Sequence, residues 1–176
     1  LRGMMVGQRE FFYPRVPPLL PWVRVPPAGL GYYDTSALRS SLERFADFDR
    51  INSGETRVSV SAVSVSTGNF KVFDNSRGRL GPEHFMASAA LPPGFPPVEI
   101  DGDFYWDGGL VSNTPLFPVL SERPRADTLV FQVDLFSARG RLPLDMGDVE
   151  ARRKDIVYSS RTRMVTQYME EIAHYR

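Results

Sequence analysis

The sequence predicts an α/β fold, and three stretches carry that expectation. Thr128 to Leu135 reads as a nearly continuous apolar strand, the kind buried on both faces of an α/β sheet. Residues 57–65, Arg-Val-Ser-Val-Ser-Ala-Val-Ser-Val, alternate, which gives a strand one apolar and one small polar face. From Asp148 onward the chain reads as helix. Val149, Ile156, Val157, Met164, Val165, Tyr168, Met169 and Ile172 fall largely on one stripe, with the charged residues between them forming a solvated face.

The elements follow in order. Residues 11–33 are rich in proline and aromatics: Phe11, Phe12, Tyr13, Pro14, Pro17, Pro18, Pro21, Trp22, Pro26 and Pro27. Proline removes backbone donors and fixes φ, so this stretch is neither a regular helix nor a central strand. An extended surface loop is the simpler reading. A substrate lid or a membrane-facing rim built on Leu19, Leu20 and Trp22, within residues 11–27, is the sharper one. Residues 35–46 read as a helix capped by Asp34 or Thr35, with Leu38, Leu42 and Phe45 on one face. After the strand at 57–65, Thr67-Gly68-Asn69 turns the chain into a second strand from Phe70 to Asp74, making a hairpin. Gly81-Pro82 opens a helix to about Ala90, and Pro92 and Pro93 stop it. Val98 to Ile100 and Phe104 to Trp106 flank Asp101-Gly102, a second hairpin signal.

Composition narrows the chemistry. The 176 residues suit one domain, 42% hydrophobic and 24% charged, with 21 basic and 21 acidic residues. That zero balance points away from a nucleic-acid partner, which usually requires a basic domain. There is no cysteine, so disulfides and thiolate chemistry are excluded. His84 and His174 are far apart and form no ligand pair. No apolar run is long enough to span a bilayer. The chain begins at Leu1 rather than Met, which suggests a fragment.

Asp107 carries the chemical argument. An Asp-Gly pair is ordinarily a turn, and Asp101-Gly102 fits that reading. Asp107 instead ends a strand, precedes Gly108 and Gly109, and leads into Asn113-Thr114-Pro115. Paired glycines let the backbone bend beneath a group that must approach a reacting centre. Phe104, Tyr105 and Trp106 supply an apolar surround that raises a carboxyl pKa, which makes a better proton acceptor near neutral pH. Asn113 and Pro115 fix the turn that follows.

Trp106-Asp107-Gly108-Gly109 resembles the Asp-Gly-Gly/Ala motif of the patatin-like phospholipases. Residues 86–97, Met-Ala-Ser-Ala-Ala-Leu-Pro-Pro-Gly-Phe-Pro-Pro, are similar to the stretch that precedes it in that family. Residues 50–57, Arg-Ile-Asn-Ser-Gly-Glu-Thr-Arg, and Gln132-Val133-Asp134-Leu135 resemble a bacterial branch with an extra C-terminal segment. The resemblance implies the C-terminal portion of a patatin-like three-layer sheet with flanking helices. It divides the chain into a loop or lid segment at 1–33, catalytic-domain residues 34–147 and a C-terminal amphipathic helix at 148–176. It implies lipid ester hydrolysis by a Ser-Asp dyad through an acyl-enzyme, with no cofactor, metal or catalytic histidine. Asp107 would be the catalytic aspartate, with Gly108 and Gly109 as its supporting turn. The partners implied are a lipid or acyl-ester substrate and the N-terminal half of the same protein, in the bacterial cytoplasm or on a membrane surface.

The serine of that dyad sits in a Gly-x-Ser-x-Gly elbow, and no such pentapeptide occurs in these residues. Ser53, Ser88 and Ser112 lack its glycine frame and read as turn, helix and turn residues. The expected role is therefore one half of a catalytic pair, with the isolated chain inactive. A non-catalytic binding or scaffolding module with the same fold, and a peripheral lipid-binding domain using residues 11–27, stand as the alternatives.

Overall fold

The computed structural model describes residues 6–20, 22–121 and 127–174. Leu1 and Pro21 lie outside the described residues. The fold is mixed α/β, with two sheets and several helices, in two compact units, Leu1–Leu110 and Val111–Arg176.

The first unit is built on a four-stranded antiparallel sheet of order β4-β3-β6-β5. Its strands are β3 (Ser59–Ser64), β4 (Phe70–Asp74), β5 (Val98–Ile100) and β6 (Asp103–Asp107). Both expected hairpins form. β3 pairs with β4 from Ser59↔Asp74 to Val63↔Phe70, and the turn between them places Gly68 at φ +70°. β5 pairs with β6 from Val98↔Tyr105 to Ile100↔Asp103. Asp101 and Gly102 both take positive φ, 52° and 81°, as a two-residue type I′ connection requires.

β3 departs from strict alternation. Ala62, Val63 and Ser64 are buried in succession, where β3 is paired on both edges and is met by the Pro82–Ser88 helix and the Gly108–Leu110 turn. The core gathers Ala62, Ala87, Ile100 and Tyr105, with Phe73 and Val98 packed against them. Ala87 comes from helix α3 (Pro82–Ser88), which lies on β3, β5 and β6.

Helix α1 (Ser36–Phe45) forms as expected. Asp34, not Thr35, supplies the side-chain bond at its start, accepting from the Ser36 N–H at 2.8 Å. Its apolar face is shorter than expected. Leu38 and Leu42 are half-buried, but Phe45 stays in solvent with the Arg44 guanidinium 4.3 Å from its ring centre. A short helix, α2 (Phe48–Ile51), is capped by Asp47 and leads into the 50–57 motif, whose work is structural. Asn52 clasps Leu80 through both its amide and its carbonyl oxygen, at 2.9 and 2.8 Å. Arg57 donates to the buried Asp74 carboxylate at 2.7 Å. A two-stranded ribbon, β1 (Tyr13–Pro14) with β2 (Tyr33–Asp34), joins the ends of the proline-rich segment.

The second unit holds a short helix, α4 (Phe117–Leu120), and the long helix α5 (Met146–His174). Two expectations fail here. Thr128 to Leu135 is not a core strand: it lies outside any strand or helix, and Leu129, Phe131, Val133 and Leu135 are exposed. A strand buried on both faces needs hydrogen-bonded neighbours on its edges. No strand is present among the described residues of this unit to supply them.

The α5 stripe is the second correction. Among the described side chains Ser159 and Thr162 are buried, Val157, Val165 and Met169 of the stripe are half-buried, and Val149, Ile156, Met164, Tyr168 and Ile172 are exposed. A helix of 29 residues is about 43 Å long. The four residues of α4 and a length of irregular chain offer too little apolar surface within the unit to cover such a stripe. What does pack on α5 is specific. Phe136 stacks on Tyr158 with ring centres 4.8 Å apart. Thr114 and Thr162 share a hydroxyl bond at 2.7 Å, and Gln132 donates to Thr114. No helix among the described residues is long and apolar enough to cross a membrane.

Candidate active site

β6 delivers Asp107 at its last residue, where the sheet gives way to a 3-10 turn, Gly108–Leu110. Three contacts fix it. Ala62 of β3 lies opposite it in the ladder. Its backbone N–H donates to the Ala90 carbonyl at 3.0 Å, tying the strand end to the chain that leaves α3. Its Oδ1 accepts from the Gly109 N–H at 2.8 Å, which sets the rotation of the carboxyl group.

The carboxyl is half-buried. Burial pushes its pKa above the ordinary carboxylate value, and the Gly109 amide offsets only part of that rise. Asp107 thus combines a fixed orientation with a weakened hold on its negative charge, which are the properties of a proton acceptor.

The two glycines do different things. A Cβ on Gly108 would stand 2.5 Å from Ser61 Oγ and 2.7 Å from the Ser61 carbonyl oxygen. Only glycine lets the turn pass this close to β3. Gly109 contributes its amide to the carboxylate. Asn113 and Pro115 lie beyond the boundary at Leu110, in the second unit, where both are half-buried.

Asp101 sits at an exposed hairpin tip, as expected of a turn residue. His84 is a packing residue. Its Nδ1 accepts from the Gly81 N–H at 2.9 Å and its ring meets Phe73 edge-on. Ser53 donates to the Arg50 carbonyl in a turn, and Ser88 ends α3. Trp106 keeps a buried indole Nε1 with no hydrogen-bond partner among the described residues. Among the described residues no three His, Asp or Glu side chains gather as metal ligands.

Two contacts of the site were not legible beforehand. Ala90 and Ser61 hold the Asp107 turn through a backbone carbonyl and a close approach, and neither leaves a side-chain signature. The one faint signal was the run of small residues, Ala87 to Ala90, just before Pro92.

This geometry lies inside a stretch recognised by comparison. The match to the curated proteins is local: 38% identity over 65 residues with the lysophospholipase NTE1 of Saccharomyces cerevisiae, which covers 37% of this chain and 4% of that protein. A family model described as patatin-like phospholipase matches residues 9–120, which include Asp107, both glycines, Asn113 and Pro115. With more than half of its length so matched, the chain belongs to the patatin-like phospholipase family.

Proposed function

We propose that this chain supplies the aspartate of a Ser-Asp dyad in a lipid acyl hydrolase, with Asp107 as the general base. The observation that carries the reading is the state of Asp107: at a strand end, half-buried, oriented by the Gly109 amide, and raised in pKa by burial. The family and the name of the lysophospholipase relative support a lipid ester as substrate.

The serine of the pair lies outside these 176 residues, which contain no Gly-x-Ser-x-Gly elbow. In the reaction the serine oxygen bonds to the ester carbonyl carbon as its proton passes to Asp107. The proton then leaves with the alcohol, and an acyl-enzyme remains. Water attacks that acyl group, giving its proton to Asp107, which returns it to the serine as the acid departs.

In this division of labour, residues 34–147 belong to the catalytic domain, residues 148–176 are an appended helix, and residues 1–33 are a loop or lid segment whose residues 11–27 contact the membrane surface. The missing elbow also supports a second reading, a binding or scaffolding module without turnover.

Labelling with a serine-directed fluorophosphonate separates the two. The polypeptide that includes the sequence upstream of Leu1 should label and hydrolyse a short-chain p-nitrophenyl ester, and the 176-residue chain alone should do neither. An unlabelled, inactive longer polypeptide would establish the module. Robust, phosphonate-sensitive hydrolysis by the 176-residue chain alone would show that the nucleophile lies within it.

A further inference from the structure

Residues 15–20 and 22–32 belong to a loop with clamped ends and an exposed apolar span. The ends are joined by the β1–β2 pairing, Tyr13↔Asp34 and Pro14↔Tyr33, and by the Arg15 N–H donating to the Tyr32 carbonyl at 3.0 Å. The Arg15 side chain crosses the loop to the Ala28 carbonyl at 3.3 Å. Beneath this clamp Phe11, Phe12, Tyr33 and Phe95 form one ring cluster, with centres 4.8 to 5.9 Å apart. The return arm is pinned to the chain after α3, where the Tyr32 and Tyr33 amides donate to the Pro93 and Gly94 carbonyls. That chain begins at Ala90, whose carbonyl holds the Asp107 amide. Loop and candidate base are therefore mounted on one short segment.

Among the described residues nothing covers the span. Val16 is 89% and Trp22 76% exposed, and Leu20, Val23 and Leu30 are exposed as well. An isolated apolar side chain in water needs no explanation, but a series of them on a clamped loop does. Part of the loop backbone needs no water. Pro17, Pro18, Pro26 and Pro27 carry no N–H to leave unsatisfied, and Val23, Gly29, Leu30 and Gly31 donate theirs within the loop. Its stiffness means that little conformational freedom remains to be lost on docking.

Charge selects the partner. From Phe11 to Tyr33 there is no acidic residue, and while Arg15 pairs with Asp34 at 3.9 Å, Arg24 adds a positive charge to the span, in a chain whose 21 bases and 21 acids balance overall. A second copy packed loop to loop would add a second Arg24 and no carboxylate to answer it. An anionic phospholipid surface instead takes Trp22 at the headgroup level and arginine against its phosphates.

We propose that residues 15–32 are a wedge that docks on anionic bilayers, with Leu20, Trp22 and Val23 entering the headgroup–acyl boundary and Arg24 facing the phosphates. The inference rests on the proposed lipid substrate only for the kind of surface, and its test involves no turnover. Vesicles of ether-linked phospholipid, one set neutral phosphatidylcholine and one with added phosphatidylglycerol, cannot be hydrolysed as esters. Sedimentation of the 176-residue chain with them, and quenching of tryptophan emission by lipids brominated near the headgroup, read docking directly.

The chain should partition onto the anionic vesicles, with quenching. Trp22→Ala should weaken partitioning about tenfold or more, since an interfacial ring of this size contributes at least 1.4 kcal/mol. Arg24→Gln should weaken it about fivefold on anionic vesicles and leave neutral ones unchanged, as one basic residue near the surface contributes about 1 kcal/mol. Phe45→Ala removes an equally exposed ring outside the loop and should change nothing. Unchanged melting temperatures show that all three variants fold. The proposal is overturned if anionic vesicles fail to retain the chain, if Trp22→Ala and Phe45→Ala behave alike, or if Trp22→Ala only dissolves a dimer seen by sedimentation velocity.

Discussion

Replacing Asp107 by Asn separates chemistry from stability at one atom pair. Asn keeps an oxygen where Oδ1 accepts from the Gly109 N–H at 2.8 Å, so the turn should survive. What it loses is the capacity to take a proton. In the polypeptide that carries the nucleophile, kcat should fall by about 10²–10⁴, or roughly 3–5 kcal/mol of transition-state stabilisation.

Stability should move the other way. A carboxyl whose pKa is raised on folding binds its proton more tightly folded than unfolded. Stability then falls as pH rises from the ordinary carboxylate value, about 3.9, through the higher folded value. Asn has no such titration. At pH 7 the variant should melt at or above the wild-type temperature, and the two curves should converge as the pH drops below about 4. Wild-type kcat/KM should rise with pH through that same raised pKa, since only the ionised carboxylate accepts a proton.

The assay is p-nitrophenyl ester turnover alongside thermal melts, with Asp101→Asn as the control because that residue sits at an exposed hairpin tip. Retention of more than about a tenth of the activity, less than the loss a general base implies, would refute the assignment. So would equal inactivity of Asp101→Asn, or a variant that is inactive because it is less stable.

Two further changes test the frame around the site. Asp74 is buried, which by itself opposes ionisation, but bonds from Ser59, Ser76 and Arg57 outweigh that and hold its carboxyl well below the ordinary range. Its contribution is present above the unfolded pKa and lost as pH falls. Asp74→Asn should therefore cost about 2–3 kcal/mol at pH 7 in a denaturant titration, and the gap should narrow below about pH 4. Gly108→Ala would place a methyl 2.5 Å from Ser61 Oγ and 2.8 Å from the Ser61 carbonyl carbon, so backbone must yield. A cost of about 1–3 kcal/mol should accompany a fall in activity, and an unchanged melt would show that the close approach is soft.

The local part of this fold was legible because local chemistry specifies it. Asp101-Gly102 demanded a tight hairpin and received one, with two positive φ values in succession. Asp34 and Gly81-Pro82 marked helix starts within a residue or two. Asp107 stood out because a strand-ending carboxylate before two glycines is an uncommon use of an Asp-Gly pair. What could not be read was anything that depends on a distant partner. Phe45 sits on the expected face of α1 and still finds no apolar partner to bury it among the described residues. The Ala90 carbonyl that holds Asp107 leaves no mark on the sequence, because any residue type provides a carbonyl.

The segment Thr128 to Leu135 shows the same limit and offers the sharpest test of it. Its apolar run satisfies the pattern of an interior strand, but a pattern only states what a strand would bury if neighbours arrived. Here Leu129, Phe131, Val133 and Leu135 are between 74% and 85% exposed, and no strand lies among the described residues of that unit. The two readings assign very different costs to one substitution. In an interior strand, Phe131→Asp would lose a buried ring and bury a charge, a cost of several kcal/mol. With the ring in solvent as observed, the change should stay within about 0.5 kcal/mol, and it should raise solubility by breaking an exposed apolar run. A denaturant titration of the 176-residue chain decides between them. A loss above about 2 kcal/mol would show that the strand expectation described this segment better than its exposed, unpaired arrangement does.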